Sequence, residues 1–165
     1  MERLWSPWRL EYVTGTAEAR ECIFCDALKR HDESDSLVLF CGRTCFVLLN
    51  LYPYNNGHLM VVPNRHVGTL ADALADELSE LVELSRRAEI ALTEVYRPHG
   101  LNLGINLGKP AGAGVLDHLH MHVVPRWNGD TNFMSVVGNV RVLPEELSQT
   151  AARLRPIFRR LADQC

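Results

Sequence analysis

The sequence predicts an α+β fold in which a mainly antiparallel sheet carries one long helix and a C-terminal helix. Three observations support this prediction: short apolar runs between turn residues, one long stretch with helical periodicity, and a helix start near the end. The chain has 165 residues, of which 47% are hydrophobic and 22% charged, as expected for a single domain over residues 1–165. Residues 1–20 have no clear period and are predicted to form an N-terminal arm.

The predicted strands are short apolar runs bounded by turn residues. Five runs have this character: residues 37–41, 45–49, 58–62, 101–107 and 118–124. Gly42 lies between the first two runs and predicts a tight hairpin, and Pro63 is expected to end the third. A glycine-rich loop over residues 108–115 separates the last two.

The helices are predicted from apolar spacing and from their end signals. Residues 22–30 are expected to form a short helix, and residues 69–96 place apolar side chains every three or four positions on one face. Pro98 should end this long helix. The final helix is predicted to start at Leu143, and Pro156 is predicted to interrupt it.

Charge and composition limit the kinds of molecule that the protein is expected to bind. The net charge is −3, from 17 basic and 20 acidic side chains that are intermixed, so we expect no nucleic-acid partner. No apolar run approaches the ~20 residues that cross a bilayer, which argues against a membrane partner. Without a secretory signal pattern, the cytoplasm is the expected location. Five cysteines in a reducing compartment make a disulfide framework improbable.

Three of the seven histidines lie at alternate positions within five residues. In a strand, alternate side chains point to the same face, so the three imidazoles should line one surface and the apolar residues between them should pack behind. A single buried histidine is more often a satisfied core residue than a catalyst. Three at this spacing indicate either metal ligation or nucleophilic and acid–base chemistry. The residues are His118, His120 and His122.

The segment from His118 to Val124 resembles the signature of the histidine triad (HIT) superfamily, in which three histidines alternate with apolar residues and two further apolar residues follow. Asn50 also lies eight residues before His58, in a pattern of the same superfamily. Within it, the segments around Pro7 and Trp127 are most similar to bacterial diadenosine tetraphosphate phosphorylases and related dinucleoside polyphosphate hydrolases. The resemblance implies a HIT-like fold, a nucleotide substrate and a homodimer.

The resemblance also implies catalytic roles. His120 would attack the α-phosphorus of a dinucleoside polyphosphate and carry the nucleotide as a covalent nucleotidyl-histidine, because a neutral imidazole is nucleophilic near neutral pH. His122 would bind phosphate oxygens and assist the leaving group. His118 would hold the ring of His120, and His58 would support this network from a neighbouring strand.

The nucleotide-binding residues implied by the resemblance lie in two loops. Asn50 would bind the ribose. The phosphates would contact Asn106 and the loop amides of Gly112, Ala113, Gly114 and Val115. Hydrolases of the superfamily commonly carry a glutamine in this loop, whereas this chain reads Ala111-Gly112-Ala113-Gly114-Val115. We therefore expect phosphate to be the acceptor, giving ADP and ATP, with hydrolysis by water as the alternative.

A cysteine pair suggests a metal site. Cys22 and Cys25 have the spacing of a zinc knuckle, although an isolated pair is more often silent than metal-binding. In a subset of HIT proteins such a pair is joined by two histidines, and His66 and His118 lie at the matching positions. The zinc would be structural, because four protein ligands leave no open position. No organic cofactor is expected.

Two other functions remain open at this point. The protein could be a non-catalytic nucleotide-binding module, although the intact histidine triad favours an enzyme. It could also be a zinc hydrolase in which the three triad histidines are the metal ligands. The cysteine pair would then have no role, so we consider this hypothesis the weakest.

Overall fold

The computed structural model describes residues 22–130 and 145–163; the predicted arm over residues 1–20 lies outside the described residues. Within these ranges the chain forms five strands and three α-helices, together with a short 3-10 turn, Lys109–Ala111. In chain order they are α1 (Ile23–Lys29), β1 (Val38–Cys41), β2 (Cys45–Leu49), β3 (Leu59–Pro63), α2 (Ala75–Tyr96), β4 (Gly100–Ile105), β5 (Met121–Arg126) and α3 (Leu147–Ala162).

The strands form one antiparallel sheet in the order β1-β2-β3-β5-β4. Helix α2 packs against α3 and against the middle of the sheet, and α3 also contacts β1. The alternation of side chains along β3 sends Leu59 and Val61 into this core together with Leu84, Leu92 and Phe158. The predicted α+β fold is therefore confirmed.

The opposite face of the sheet carries a second, smaller apolar cluster under α1. Met60 and Val62, which alternate with the core residues of β3, pack there with Phe24 of α1. On this face α1 packs against residues of β1, β2 and β3, beside the segment that leads into β5.

Several element boundaries differ from the sequence prediction. Helix α2 begins at Ala75 rather than residue 69, because the side chains of Thr69 and Asp72 hydrogen bond within a preceding turn and Glu77 caps the helix at the Leu74 amide. It ends at Tyr96, before Pro98, as predicted. β5 begins at Met121, so two of the triad histidines precede the strand.

The prediction that Pro156 interrupts the last helix is wrong. α3 runs without a break from Leu147 to Ala162, and the predicted start at Leu143 lies outside the described residues. Pro156 is exposed, so the carbonyl group that loses its hydrogen bond can be hydrated, while the buried residues Leu154 and Phe158 anchor the helix in the core. Among the described helices, none combines the length and apolar character needed to cross a membrane.

Candidate functional site

The three triad histidines lie on the sheet face that α1 partly covers. His122 is paired with Met60 of β3 and with Gly104 of β4. Leu119 and Val123 point the other way, into the core under α2. The alternation expected from the sequence is therefore present, although the segment before Met121 is extended chain rather than strand.

A single backbone contact defines the protonation of the His120 ring. Nδ1 of His120 lies 2.8 Å from the carbonyl oxygen of His118. A carbonyl oxygen only accepts, so Nδ1 carries the proton and Nε2 keeps its lone pair. Burial lowers the pKa of His120. The ring is consequently neutral near pH 7 and has a nucleophilic nitrogen at Nε2.

A second chain of hydrogen bonds runs through His58 to His122. The backbone N–H of Tyr54 donates to Nδ1 of His58 over 3.0 Å, and the side-chain amide of Asn50 lies 3.4 Å from the same atom. In neutral His58 the proton must then lie on Nε2, which is 2.9 Å from Nδ1 of His122. His122 accepts at Nδ1, so its own proton lies on Nε2, where it can donate to a phosphate oxygen.

Tyr54 is a site residue that the sequence analysis did not single out. Its ring packs on His58 with a centroid distance of 4.7 Å and on His122 with a distance of 5.8 Å. In the sequence, Tyr54 could have been identified only by its position in the Pro53-Tyr54-Asn55 loop, close before His58. The ring restrains both imidazoles from one side.

A cavity of about 630 Å³ opens in front of His120. Its apolar lining includes Phe24 and Ala27 of α1 and Leu48 of β2, while Asp26 and Arg30 of α1 are among its charged lining residues. His120 and His122 line the cavity together with four of the predicted nucleotide-binding residues: Asn50, Gly112, Gly114 and Val115. A lining that combines apolar side chains with polar groups is suited to a base and a phosphate.

The glycine-rich loop differs in part from the expectation. The amide of Gly112 donates to the Lys109 carbonyl over 3.0 Å, and the amide of Ala113 donates to Gly108 over 3.3 Å. Those two bonds stabilise the turn itself. The loop amides that remain candidates for phosphate contacts are those of Gly114 and Val115, and the Ala113 side chain packs inward.

Asn106 is not part of this cavity. It lines a smaller pocket of about 290 Å³ on the other side of His122, which we call the distal pocket. Its remaining lining comes from the segment before β3, from β4, from β5 and from the residues just after it: Asn55, Asn102, Leu103, Gly104, Val124, Arg126 and Asp130. Tyr54 and His122 line both spaces.

The four predicted zinc ligands come together. One ligand atom from each of Cys22, Cys25, His66 and His118 lies within 4.8 Å of the others. Nδ1 of His118 is 3.2 Å from Sγ of Cys22 and 3.6 Å from Sγ of Cys25, and Nδ1 of His66 is 3.4 Å from Sγ of Cys25. Bonds of about 2.3 Å to sulfur and about 2.0 Å to nitrogen fit this spacing in a tetrahedral site.

The orientation of His118 also suits a ligand role. Its Nε2 lies 2.8 Å from the Pro63 carbonyl oxygen, so Nε2 carries the proton and Nδ1 presents its lone pair to the cysteines. Burial lowers the pKa of His118, which keeps the ring neutral. Nδ1 of His118 faces the cysteines, whereas Nδ1 of His122 is hydrogen bonded to His58. The three triad histidines therefore do not converge on one metal ion. This geometry argues against the zinc-hydrolase hypothesis.

Phe24 connects the cysteine pair to the triad, a role that the sequence analysis missed. It lies between Cys22 and Cys25 in the chain, and its ring centroid is 5.5 Å from that of His118 and 5.0 Å from that of His120. Only 2% of it is exposed. The cysteines and this aromatic contact thus both hold the N-terminal end of α1 against the triad segment.

This combination of a five-stranded antiparallel sheet and an alternating histidine triad defines the histidine triad class. A family model described as the HIT domain matches residues 31–129. The chain belongs to the HIT family.

Two named relatives and one solved structure are similar to this chain. An "AP-4-A phosphorylase" of Mycobacterium tuberculosis is 41% identical over 158 residues, which cover 91% of this chain and 80% of that protein. A "Bis(5'-adenosyl)-triphosphatase" of Dictyostelium discoideum is 30% identical, with 74% and 86% covered. The crystal structure of a Zn-bound histidine triad family protein from Mycobacterium smegmatis superposes with a TM-score of 0.70 at 26% identity, covering 88% of this chain and 98% of that one.

Proposed function

We propose that this protein is an enzyme that acts on diadenosine polyphosphates, with diadenosine tetraphosphate as the donor of an adenylyl group to His120. The proposal rests on the His120 ring: its Nδ1 proton is fixed by the His118 carbonyl, which leaves the lone pair on Nε2, and the residue lines a cavity that contains both apolar and polar groups. Relatives whose names specify AP-4-A phosphorylase and bis(5'-adenosyl)-triphosphatase activity support this substrate class.

The first step forms a bond between Nε2 of His120 and the α-phosphorus. The electron pair of the cleaved phosphorus–oxygen bond stays with the departing ATP, whose bridging oxygen accepts a hydrogen bond from Nε2 of His122. As the imidazole gains positive charge, its Nδ1 proton keeps the hydrogen bond to the His118 carbonyl. The product of this step is adenylyl-His120.

In the second step we propose that an oxygen of inorganic phosphate attacks the α-phosphorus and breaks the phosphorus–nitrogen bond. Diadenosine tetraphosphate and phosphate then give ADP and ATP, whereas attack by water would give AMP and ATP. Two observations support phosphate: the relative named AP-4-A phosphorylase at 41% identity, and the absence of a side chain at Gly114, which lines the cavity.

Product analysis tests both steps. Wild-type enzyme should convert diadenosine tetraphosphate to ADP and ATP at millimolar phosphate, and ADP should fall when phosphate is omitted. His120→Ala should lose nearly all turnover, by several powers of ten, yet still bind nucleotide. Constant AMP production regardless of phosphate would make the protein a hydrolase. Binding without any turnover by the wild type would instead support the non-catalytic module.

We also propose that Cys22, Cys25, His66 and His118 hold a structural zinc ion. The metal would cross-link α1 to the segment after β3 and to the triad. The four-atom cluster and the Zn-bound relative support this proposal. Thiolate ligands must stay reduced, which suits the cytoplasmic location expected from the sequence.

A homodimer is proposed on the basis of the edge strand β4. β4 is a sheet edge, and most of its residues are exposed, including Leu103 at 49%. An exposed edge strand can pair with a second copy. Sedimentation equilibrium should give twice the chain mass, and Leu103→Lys should shift the protein to monomer; a monomeric wild type at micromolar concentration would contradict the proposal.

A further inference from the structure

We propose that the distal pocket binds the second nucleoside of the substrate, the one attached to the leaving polyphosphate. This inference rests on the proposed function and extends it to the part of the substrate that does not become bonded to the enzyme. The pocket shares His122 and Tyr54 with the main cavity but contains none of the α1 wall. It therefore lies on the side of His122 that faces away from the adenylyl site.

The charged side chains of the distal pocket neutralise each other, so the pocket suits a ligand group without charge. Its two charged side chains pair with each other: Nε of Arg126 is 2.6 Å from Oδ2 of Asp130, and Nη2 is 2.9 Å from Oδ1. Hydrogen bonding by Arg126 holds the pKa of Asp130 well below its usual range, so the pair stays ionised and neutral as a unit. The described lining leaves no cation unpaired, and a neutral nucleoside needs none.

Two asparagine side chains give the pocket a defined hydrogen-bonding pattern. Asn55 donates both protons of its side-chain amide, to the Pro125 carbonyl over 3.1 Å and to Asp130 over 3.0 Å, so its oxygen remains as an acceptor. Asn102 accepts from Nη1 of Arg126 over 2.7 Å, so its NH₂ group remains as a donor. A donor and an acceptor in the same lining match the edge of adenine, which offers an amino group and a ring nitrogen.

The backbone of β4 provides a flat floor for a planar base. Gly104 lies opposite His122 in the β4–β5 register, and a Cβ atom built on it would meet nothing within 4 Å. The volume of about 290 Å³ is at the lower end of ligand pockets, about 300 Å³. This size fits one nucleoside and leaves the polyphosphate to span the distance past His122.

The test compares two adenylyl donors that differ only in the leaving group. Diadenosine tetraphosphate releases ATP, whereas adenosine 5'-tetraphosphate releases triphosphate without a nucleoside. The measured quantity is the ratio of their kcat/KM values. Gly104→Val places a side chain in the pocket without backbone strain, and Asn102→Leu removes the amide. Gly100→Val is the matched control, because it lies on the same strand, also faces open space and is outside the pocket lining.

Wild-type enzyme should prefer diadenosine tetraphosphate, and both pocket variants should lower the ratio by at least about 10-fold. The ratio of Gly100→Val should equal that of the wild type. Equal loss on both substrates leaves the ratio unchanged and would overturn the inference, as would a wild type without preference. A wild type that transfers adenylyl from neither substrate would instead refute the proposed function.

Discussion

Nε2 of His58 lies 2.9 Å from Nδ1 of His122, which joins two histidines that are 64 residues apart in the chain. One backbone N–H, that of Tyr54, thereby sets the proton positions of both rings. His122, which we propose faces the leaving group, is consequently oriented by His58, a residue that need not contact substrate. His58 is a positioning residue in this arrangement.

Replacing His58 should therefore lower kcat more than it raises KM. His58→Leu removes the bond to His122 and should reduce kcat by about 10²-fold. His58→Gln can still accept from the Tyr54 amide and donate to His122, so it should recover part of the loss. Steady-state kinetics, with melting temperatures to verify folding, provide the measurement.

His31→Ala is the matched control, because His31 is exposed on the turn after α1 and lines neither cavity. Its kcat should remain at the wild-type value. If His58→Leu and His58→Gln proved equally active, orientation through this bond would be refuted.

Removal of a cysteine ligand should affect both metal content and stability. Protein purified without added metal should contain about one zinc per chain, and Cys25→Ser should lower the zinc content and the melting temperature together. Cys41→Ser, at an exposed free thiol, should change neither. Metal-free wild-type protein with an undiminished melting temperature would show that the cysteines are not ligands.

Glu77 should contribute a pH-dependent part of the stability. A hydrogen bond from the Arg65 side chain, aided by the Leu74 amide, lowers the pKa of this carboxyl below its ordinary 4.5. Because the folded state holds the ionised form, the stabilisation is present above that value and is lost as the pH falls through the folded pKa. Glu77→Gln should lower Tm by about 2–4 °C at pH 7.

The difference between Glu77→Gln and wild type should shrink below pH 4.5, where the wild-type carboxyl takes up its proton. Glu94→Gln, on the same helix but in an exposed ion pair with Arg160, should shift Tm by less than about 1 °C. A constant Tm difference between pH 7 and pH 3 would contradict the linkage.

Replacing the exposed proline of α3 should stabilise the protein. Proline in a helix interior costs about 3 kcal/mol relative to alanine in model helices, and Pro156 faces solvent within a helix that does not break there. Pro156→Ala should raise Tm by about 4 °C, with Arg159→Ala as an exposed control on the same helix. Thermal unfolding followed by circular dichroism measures this; a lower Tm would refute the prediction.

Periodicity in the sequence predicts most of the sheet because each short strand carries its own pattern of buried residues. The runs at Phe46 and Val61 are confirmed strands, and the alternation around His120 puts the imidazoles on one face. The boundaries were less predictable, since the start of α2 depends on the turn at Thr69 and the continuity of α3 depends on which side Pro156 faces.

The direction of each ring could not be predicted from spacing. His118 and His120 are two positions apart, yet the first ring faces the cysteines and the second lines the cavity. The reason is that the Pro63 carbonyl accepts from Nε2 of His118, whereas the His118 carbonyl accepts from Nδ1 of His120. Tyr54 and Phe24 were missed for the same reason. Their importance arises from contacts between distant segments, which no local pattern encodes.

Cys25 lies within the seven residues of helix α1 and Cys22 directly precedes them, and the same helix forms one wall of the cavity in which we propose nucleotide binding. An ion held by these cysteines would fix the helix and so reduce the entropy that a nucleotide must lose to order its binding wall. We therefore expect the affinities for zinc and for nucleotide to be thermodynamically coupled, and reciprocity would require each ligand to tighten the other by the same factor. Metal supply would then set how much substrate the enzyme captures, even though the ion never touches it.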